Sequence, residues 1–264
     1  MDCVFLFDVD GTLTPPRQPM KTMFADYFRG FVKREPVFLI SGSDYSKIKE
    51  QVPLDILNDC HGVFGCSGAE YFEMDELVYR REHQFSTELV ERVERFIEES
   101  PYEYRFGNHI EHRPGMLNVS VVGRNATLNQ RRHYHEWDLA HGERSVFANR
   151  LVELFDEYEA SCGGEISIDI VPNGWTKSVV KSEVIEKHPG AQLIFFGDRM
   201  GEQGNDRPLA DVLNTPSGRH KAIEVKDYKD TWVHLRHLSG LQESKTRFRL
   251  DNVKELFTVG ATFH

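Results

Sequence analysis

Short apolar runs separated by amphipathic stretches organise both ends of this chain. The runs at 4–7, 37–40, 63–64 and 192–196 have the composition of strands that are buried on both faces. After the first run, apolar side chains recur at helical spacing over 23–31. Strands that alternate with helices through short connections predict an α/β fold with a parallel sheet and right-handed crossovers.

The middle of the chain follows a different pattern. Residues 116–122 and 165–171 alternate apolar and polar side chains with period two, as half-exposed antiparallel strands do. An amphipathic helix is predicted at 88–97, and a long charged helical region is predicted over 129–159 with a break near Gly142. This block therefore predicts a separate α+β unit that is inserted into the α/β domain.

The α/β pattern resumes after the insertion and sets the predicted domain organisation. Residues 1–82 and 175–240 are predicted to form the core, and 83–174 are predicted to form the inserted unit. The remaining residues, 241–264, form a polar C-terminal extension to which the sequence assigns no role.

Two carboxylates lie at the end of the first predicted strand, in the sequence Asp8-Val9-Asp10-Gly11-Thr12. Side chains two apart in a strand point to the same side, so Asp8 and Asp10 lie close together. Buried like charges raise each other's pKa, and a bound cation relieves them. Gly11 allows the sharp exit that such a site needs. The motif predicts a magnesium-dependent phosphoryl-transfer site, with an acidic hairpin turn as the alternative.

Each charged residue of this site has a predicted role. Asp8 is the candidate nucleophile, and Asp10 is the candidate general acid and base. Asp198 follows a later strand and would complete an oxygen cage for Mg²⁺ with Asp8 and Asp10. Lys177, at a predicted helix start, would supply a cation for the charge of the transition state. The alternative for Lys177 is an ordinary solvated surface lysine.

The second predicted strand ends in a small polar segment, Ser41-Gly42-Ser43. Its hydroxyl and backbone N–H groups can bind phosphate oxygens. In open α/β sheets ligands bind at the carboxyl ends of the strands, which is where this segment lies. The alternative is a plain turn.

Composition narrows the classes of partner and compartment. The chain has 264 residues and a net charge of −10, which disfavours nucleic acid as a partner. No apolar run approaches the roughly 20 residues of a membrane helix, and Asp2 with a short first run is unlike a signal peptide. The four cysteines show no paired framework, so we expect reduced thiols in a cytoplasmic protein.

The order of these motifs resembles the haloacid dehalogenase-like superfamily. The resemblance implies that Asp8 forms an aspartyl-phosphate, and that Asp10 acts as acid and base and gives a metal ligand through its carbonyl. The insertion follows the third strand, which is similar to a C2-type cap. The expected fold is therefore a Rossmannoid parallel-sheet core with an inserted α+β cap.

Motifs in the cap region carry a narrower resemblance, to the eukaryotic-type phosphomannomutases. These are Arg-Pro-Gly-Met-Leu-Asn-Val-Ser at 113–120, Val-Val-Gly-Arg at 121–124, Gly-Gly-Glu-Ile-Ser-Ile-Asp at 163–169 and Pro-Asn-Gly-Trp-Thr-Lys at 172–177. Core segments 14–18, 195–198 and 204–206 also match, so the resemblance covers about residues 3–225.

The resemblance implies a set of residues that hold a sugar phosphate. Guanidinium groups bind phosphate in bidentate fashion, and Ser167 and Asp169 alternate on one strand face, where they would contact sugar hydroxyls. Ordinary surface charge is the alternative for the arginines. The implied substrate-binding residues are Arg17, Ser41, Gly42, Ser43, Arg113, Asn118, Arg124, Arg131, Ser167 and Asp169.

The activity that the resemblance implies is a Mg²⁺-dependent exchange between mannose 6-phosphate and mannose 1-phosphate. It would proceed through the aspartyl-phosphate and a hexose 1,6-bisphosphate, and it would serve GDP-mannose biosynthesis. The family also implies a homodimer formed through the cap.

Two segments depart from the family pattern and leave alternative functions open. Ser41 stands where the family has glycine, and Arg207-Pro208 follows Asp206 where acidic and aromatic residues are usual. Both resemble the sugar-phosphate phosphatases of the same superfamily, and the second leaves a secondary cation site after Asp206 open. The alternatives are therefore such a phosphatase or a catalytically silent binding protein, and the intact carboxylates with Lys177 argue against the silent protein.

Overall fold

The computed structural model describes residues 3–216 and 218–238 and contains two β-sheets. The first part of the chain holds β1 (Cys3–Asp8), α1 (Thr22–Val32), β2 (Val37–Ile40), α2 (Tyr45–Gln51), α3 (Leu54–Asp59), β3 (Gly62–Gly65), β4 (Glu70–Glu73) and β5 (Glu76–Arg80). The middle part holds α4 (Thr87–Glu99), β6 (Ile110–Arg113), β7 (Met116–Val119), α5 (Leu128–His141), α6 (Glu143–Leu154), β8 (Tyr158–Gly163) and β9 (Ser167–Pro172). The last part holds a 3-10 turn (Lys177–Val179), α7 (Val180–Lys187), β10 (Gln192–Gly197), α8 (Arg207–Leu213), β11 (Lys221–Glu224) and a helical segment, α9, at 228–238.

The first and last parts share one seven-stranded sheet, here called the core sheet, in the order β11-β10-β1-β2-β3-β4-β5. Strands β11, β10, β1, β2 and β3 run parallel, and β4 and β5 are antiparallel additions that the sequence patterns did not predict. Phe7 of β1 pairs with Phe196 of β10 and Leu39 of β2. The carboxyl ends of these strands therefore meet at one edge, and the predicted α/β class is confirmed.

Strand β1 is buried on both faces, which explains its continuous apolar run. Phe5 and Phe7 pack on one side against α1, whose Phe28 and Phe31 meet them edge to face. Side chains on the other side of β1 join a second cluster that includes Val184 of α7. Burial of each such side chain contributes roughly 1.5–3 kcal/mol. The site at the end of β1 is thus anchored between two buried clusters of the core.

The second sheet, here called the cap sheet, is antiparallel with the order β6-β7-β9-β8. Its alternation divides apolar from polar side chains. Leu117 and Ile168 face the helices α4 and α6, whereas Asn118 and Asp169, which are register partners, lie on the opposite face of the strands. A Cβ on Gly42 of the core would lie 3.2 Å from Asp169 Oδ2, so this polar face meets the core.

The structure corrects two predicted boundaries in the cap. The helical region breaks at Gly142, as predicted, but it ends at Leu154, and β8 begins at Tyr158. The predicted strand over 116–122 ends at Val119, because a turn follows in which Gly123 N donates to Ser120 O. Charged helices and edge strands show similar spacing over a few residues, which explains the first error.

The cap sheet lies wholly within the predicted insertion, 83–174, and the strands of the core sheet lie wholly outside it. The domain boundaries themselves stay a prediction. Residues 241–264 lie outside the described residues. Among the described helices, none has both the length and the apolar composition needed to cross a bilayer.

Candidate active site

Three carboxylates gather at the carboxyl edge of the core sheet. Asp8 ends β1, Asp198 follows β10, and Asp206 directly precedes α8. Oxygen atoms of the three lie within 4.8 Å of one another. Lys177 lies among them and is fully buried, and its Nζ donates to Asp8 Oδ1 at 2.6 Å and to Asp206 Oδ1 at 2.7 Å. The chain thus places one ammonium group against three acids.

The acid group carries more negative charge than its surroundings neutralise. Burial raises the pKa of Asp8 well above its usual value, and the neighbouring acids add to this, although Lys177 opposes it. Burial and the charge of Asp206 raise the pKa of Asp198 to about 7. Burial works against the charged form of Lys177, but Asp206 and Asp8 outweigh it and raise its pKa. A second cation would relieve the remaining repulsion.

The donor set fits a hard divalent cation. Asp198 Oδ1 is buried without a hydrogen-bond partner among the described residues. A Cβ on Gly11 would lie 2.4 Å from Asp198 Oδ2, so only glycine allows the chain to come this close to the carboxylate. Carboxylate oxygens are preferred ligands of such cations. Asp206 is fully buried against Lys177 and the backbone N–H of Arg199 at 3.0 Å, and the described lining of the pocket includes Asp8 and Asp198 but not Asp206, so these two carboxylates are the accessible ligands.

Asp10 stands apart from this group of three. Its Oδ1 accepts from the backbone N–H of Arg17 at 2.8 Å, and its Oδ2 accepts from Gln51 Nε2 at 3.3 Å. The carboxylate lines the pocket that also contains Asp8 and Asp198. Its position suits proton transfer to a ligand in this pocket. The predicted metal-ligand role of Asp10 stays a prediction.

The segment after β2 forms the wall of the pocket beside Asp8. Ser41 and Ser43 are buried, and Ser43 N donates to Ser41 Oγ at 3.0 Å. Gly42 lies between core and cap, since a Cβ there would lie 3.2 Å from Asp169 Oδ2 and 3.3 Å from Asn205 Nδ2. A side chain at this position would therefore occupy the gap between the two parts.

Four arginines line the same pocket. Arg113, Arg124 and Arg131 of the cap and Arg17 of the core all line it. Arg124 Nη1 donates to Ser167 Oγ at 2.7 Å. Arg131 donates to the backbone oxygen of Arg124 at 2.6 Å, which fixes the turn that carries Arg124. We call these four arginines the arginine cluster.

Two members of the arginine cluster, Arg124 and Arg131, have pKa values that their surroundings lower. Burial, with repulsion from Arg113 and Arg17, lowers the pKa of Arg124 to about 9. Burial and Arg17 lower the pKa of Arg131 to about 10. Glu111 offsets part of the positive charge of the cluster, because its Oε2 accepts from Arg113 Nη2 at 2.6 Å and lies 3.4 Å from Arg124 Nε. Bound anions such as phosphate would neutralise the rest.

Glu111 also joins the cap to the core. Burial raises its pKa, but Arg113 and Lys47 outweigh this effect and hold the pKa at about 2, so the carboxylate stays ionised. Its Oε1 is paired with Lys47 of α2. Arg113 Nη1 donates to the backbone oxygen of Gly42 at 2.7 Å. Across the pocket, Cys162 N of β8 donates to Gln203 O at 2.8 Å. The cap is thus closed over the pocket from both sides.

The structure brings the predicted site residues together. Lys177 lies beneath Asp8, and the other predicted residues line one pocket, namely Asp8, Asp10, Arg17, Ser41, Gly42, Ser43, Arg113, Asn118, Arg124, Arg131, Ser167, Asp169 and Asp198. The sequence patterns missed Asp206, Glu111 and Gln51 in these positions. Asp206 had a visible signal in the small polar segment Gly204-Asn205-Asp206, and Glu111 had one in its i,i+2 spacing from Arg113.

A parallel sheet whose central strand ends in this acid group, with a buried lysine and an inserted cap, defines the haloacid dehalogenase-like fold. Solved structures agree on the fold. The chain matches SMU.1108c from Streptococcus mutans with a TM-score of 0.59 at 15% identity, over 90% of this chain and 100% of that one. It matches an N-terminally truncated IMP-nucleotidase of Plasmodium falciparum with a TM-score of 0.59 at 13% identity, over 89% of this chain and 69% of that one.

Sequence comparison gives the family. The family model of eukaryotic phosphomannomutase matches residues 24–238. The chain is 31% identical over 241 residues to a probable phosphomannomutase of Caenorhabditis elegans, covering 84% of this chain and 94% of the relative. It is 36% identical over 215 residues to a phosphomannomutase of Galdieria sulphuraria, covering 78% and 84%. The chain is an enzyme that belongs to the eukaryotic phosphomannomutase family, and the predicted family is confirmed.

Proposed function

We propose that the chain interconverts mannose 6-phosphate and mannose 1-phosphate through an aspartyl-phosphate on Asp8 and a hexose 1,6-bisphosphate. The observation that carries the proposal is one pocket between core and cap whose lining combines Asp8, Asp10 and Asp198 with the arginine cluster. Such a pocket suits a ligand that has a reacting phosphate at one end and a held phosphate at the other.

Asp8 would attack phosphorus with a carboxylate oxygen, and the bond between phosphorus and the sugar oxygen would break. Lys177 is already bonded to Asp8 Oδ1 and would offset the charge that gathers on the phosphoryl group. Mg²⁺ held by Asp8 and Asp198 would supply further stabilisation of the phosphoryl oxygens. Ser41 and the backbone after β2 would donate hydrogen bonds to the same group.

Asp10 would transfer the proton. As an acid it would protonate the sugar oxygen that leaves, and as a base it would accept the proton of the hydroxyl that attacks the aspartyl-phosphate in the second half-reaction. Its carboxylate lines the pocket that Asp8 also lines, where the leaving sugar oxygen and later the attacking sugar hydroxyl would lie.

The arginine cluster would hold the phosphate that is not reacting. Guanidinium groups bind either phosphate of a 1,6-bisphosphate in the same bidentate way, so the intermediate could bind in both orientations. Asn118, Ser167 and Asp169 lie on the cap face of the pocket and would contact the sugar hydroxyls. The closed cap would keep water from the aspartyl-phosphate.

Product analysis tests the proposal. The enzyme is incubated with mannose 1-phosphate, Mg²⁺ and a trace of hexose 1,6-bisphosphate, and products are separated by chromatography. We expect mannose 6-phosphate, with the rate lost in the matched variant Asp8→Asn. Free mannose with inorganic phosphate as the main products would contradict the mutase and favour the phosphatase alternative that Ser41 and Arg207-Pro208 left open.

The homodimer through the cap and the place in GDP-mannose biosynthesis stay predictions of the family resemblance. The cytoplasmic location stays a prediction from the cysteine pattern, and the absence of nucleic-acid partners stays a prediction from the net charge.

A further inference from the structure

Gln51 is a buried polar residue that stands behind Asp10, outside the set of described residues that line the pocket. It ends α2, where its backbone oxygen accepts from Met20 N at 2.7 Å. That bond holds the backbone and leaves the side-chain amide available for other partners. A buried amide needs partners at both of its ends, and both are present here.

The two ends of the amide join Thr14 to Asp10. Gln51 Oε1 accepts from the Thr14 hydroxyl at 2.9 Å, and Gln51 Nε2 donates to Asp10 Oδ2 at 3.3 Å. An ionised carboxylate only accepts hydrogen bonds, so the N–H end of the amide must face Asp10. Thr14 is fully buried, and its hydroxyl, which lies closer to Gln51 Oε1 than to Val9 O at 3.2 Å, supports that orientation from the other side.

Asp10 is therefore fixed at both oxygens. Its other oxygen accepts from the backbone N–H of Arg17, which adopts a left-handed φ of 58°. A left-handed conformation is costly for arginine, and such strain collects at functional sites. Two N–H donors on different elements prevent the carboxylate plane from rotating, and they leave one lone pair of each oxygen directed elsewhere.

We propose that Gln51 is a positioning residue that orients the Asp10 carboxyl group for proton transfer to the sugar oxygen. In the step concerned, an Asp8 oxygen bonds to phosphorus, the phosphorus–sugar oxygen bond breaks, and the proton of Asp10 moves to that oxygen. Aspartyl-phosphate, a free sugar hydroxyl and an Asp10 carboxylate result. The inference rests on the proposed acid–base role of Asp10 and holds whether the final acceptor is a sugar or water.

Comparison of two phosphoryl donors, one of which has a leaving group that needs no proton, separates a positioning role of Gln51 from a role in folding. Phosphoryl transfer to Asp8 is measured before the steady state with two donors, hexose 1,6-bisphosphate and p-nitrophenyl phosphate. We expect Gln51→Leu to slow transfer from the bisphosphate about 10- to 100-fold, which is part of the general-acid contribution. Transfer from p-nitrophenyl phosphate should change less than about threefold, because p-nitrophenolate needs no proton. The matched control is Gln192→Leu, since Gln192 begins β10 at the opposite end of the parallel strands.

Asp10→Asn, measured in parallel, separates a failure of the acid role of Asp10 from a failure of the positioning role of Gln51. If Asp10→Asn slows both donors equally or neither, the proposed acid role fails. If Asp10→Asn slows only the bisphosphate but Gln51→Leu affects the two donors equally, or neither of them, the inference about Gln51 alone is overturned. Should Gln51→Leu not fold, Thr14→Val tests the same hydrogen-bond chain, and a loss selective for the bisphosphate is again the expected result.

Discussion

The core side and the cap side of the pocket, here called the core end (or acid end) and the cap end (or arginine end), are electrostatic opposites. At the core end, burial and the charge of neighbouring acids raise the pKa of Asp8 and Asp198. At the cap end, burial and the charge of neighbouring arginines lower the pKa of Arg124 and Arg131. Without a ligand, repulsion between like charges destabilises both arrangements. Each fits a ligand of the opposite charge, a cation at one end and a phosphate at the other.

The two ends also differ in how they are held. The acid end is built on the ends of β1 and β10, which pair along their length inside one sheet. The arginine end belongs mainly to the cap and meets the core through a few contacts, among them Arg113 with Gly42 O and Glu111 with Lys47. In the proposed mechanism, chemistry would depend on side chains held by the core sheet, and substrate selection would depend on a part that meets the core through polar contacts.

The largest expected effect comes from breaking the acid end. Asp8→Asn should lower turnover by at least about 10³-fold, since no covalent intermediate can form. The protein should stay folded, because the change removes one of several crowded acids and Lys177 keeps its bond to Asp206. Steady-state kinetics with thermal unfolding checks both parts. Turnover within about tenfold of the wild type would refute the nucleophile assignment.

Breaking the cap end should affect one class of substrate only. Arg124→Ala should raise KM for mannose 1-phosphate about 10- to 100-fold, the effect of losing charge-assisted hydrogen bonds. KM for p-nitrophenyl phosphate, which has no distal phosphate, should change by less than about twofold. Arg132→Ala is a matched control, because Arg132 is exposed and bonded to Asn129. Equal changes for both substrates would remove the distal-phosphate role.

A smaller effect is expected in the pH dependence of stabilisation by Mg²⁺. The pKa of Asp198 is raised to about 7 by burial, so its contribution to the stability of the metal-free protein is complete below the unfolded pKa of about 3.9. That contribution is lost as pH rises through about 7, where ionised Asp198 and a bound cation favour each other. Mg²⁺ should therefore raise Tm by several degrees more near pH 8 than near pH 5, measured against a chelator. Equal shifts at both pH values, or an unchanged pH dependence in Asp198→Asn, would contradict this assignment.

The sequence predicts the core end better than the cap end because the core signals are local. The apolar run into Asp8 and the i,i+2 spacing of Asp10 define strand and site within a few residues. Asp206 was missed in its role because that role depends on Lys177, 29 residues away in sequence. Glu111 was missed because an acid beside arginines has the pattern of solvated surface charge. In the cap, resemblance rather than periodicity identified the arginines.

In the proposed mechanism, Asp8 carries a phosphoryl group that a sugar phosphate held by the arginine cluster accepts. A pulse–chase measurement tests it most directly: the enzyme is phosphorylated with labelled hexose 1,6-bisphosphate and Mg²⁺, the labelled residue is mapped by mass spectrometry, and unlabelled mannose 1-phosphate is added. We expect label on Asp8 that moves to the sugar phosphate at a rate that depends on the concentration of mannose 1-phosphate. Label that passes to inorganic phosphate at the same rate with or without the sugar would contradict the proposed mechanism.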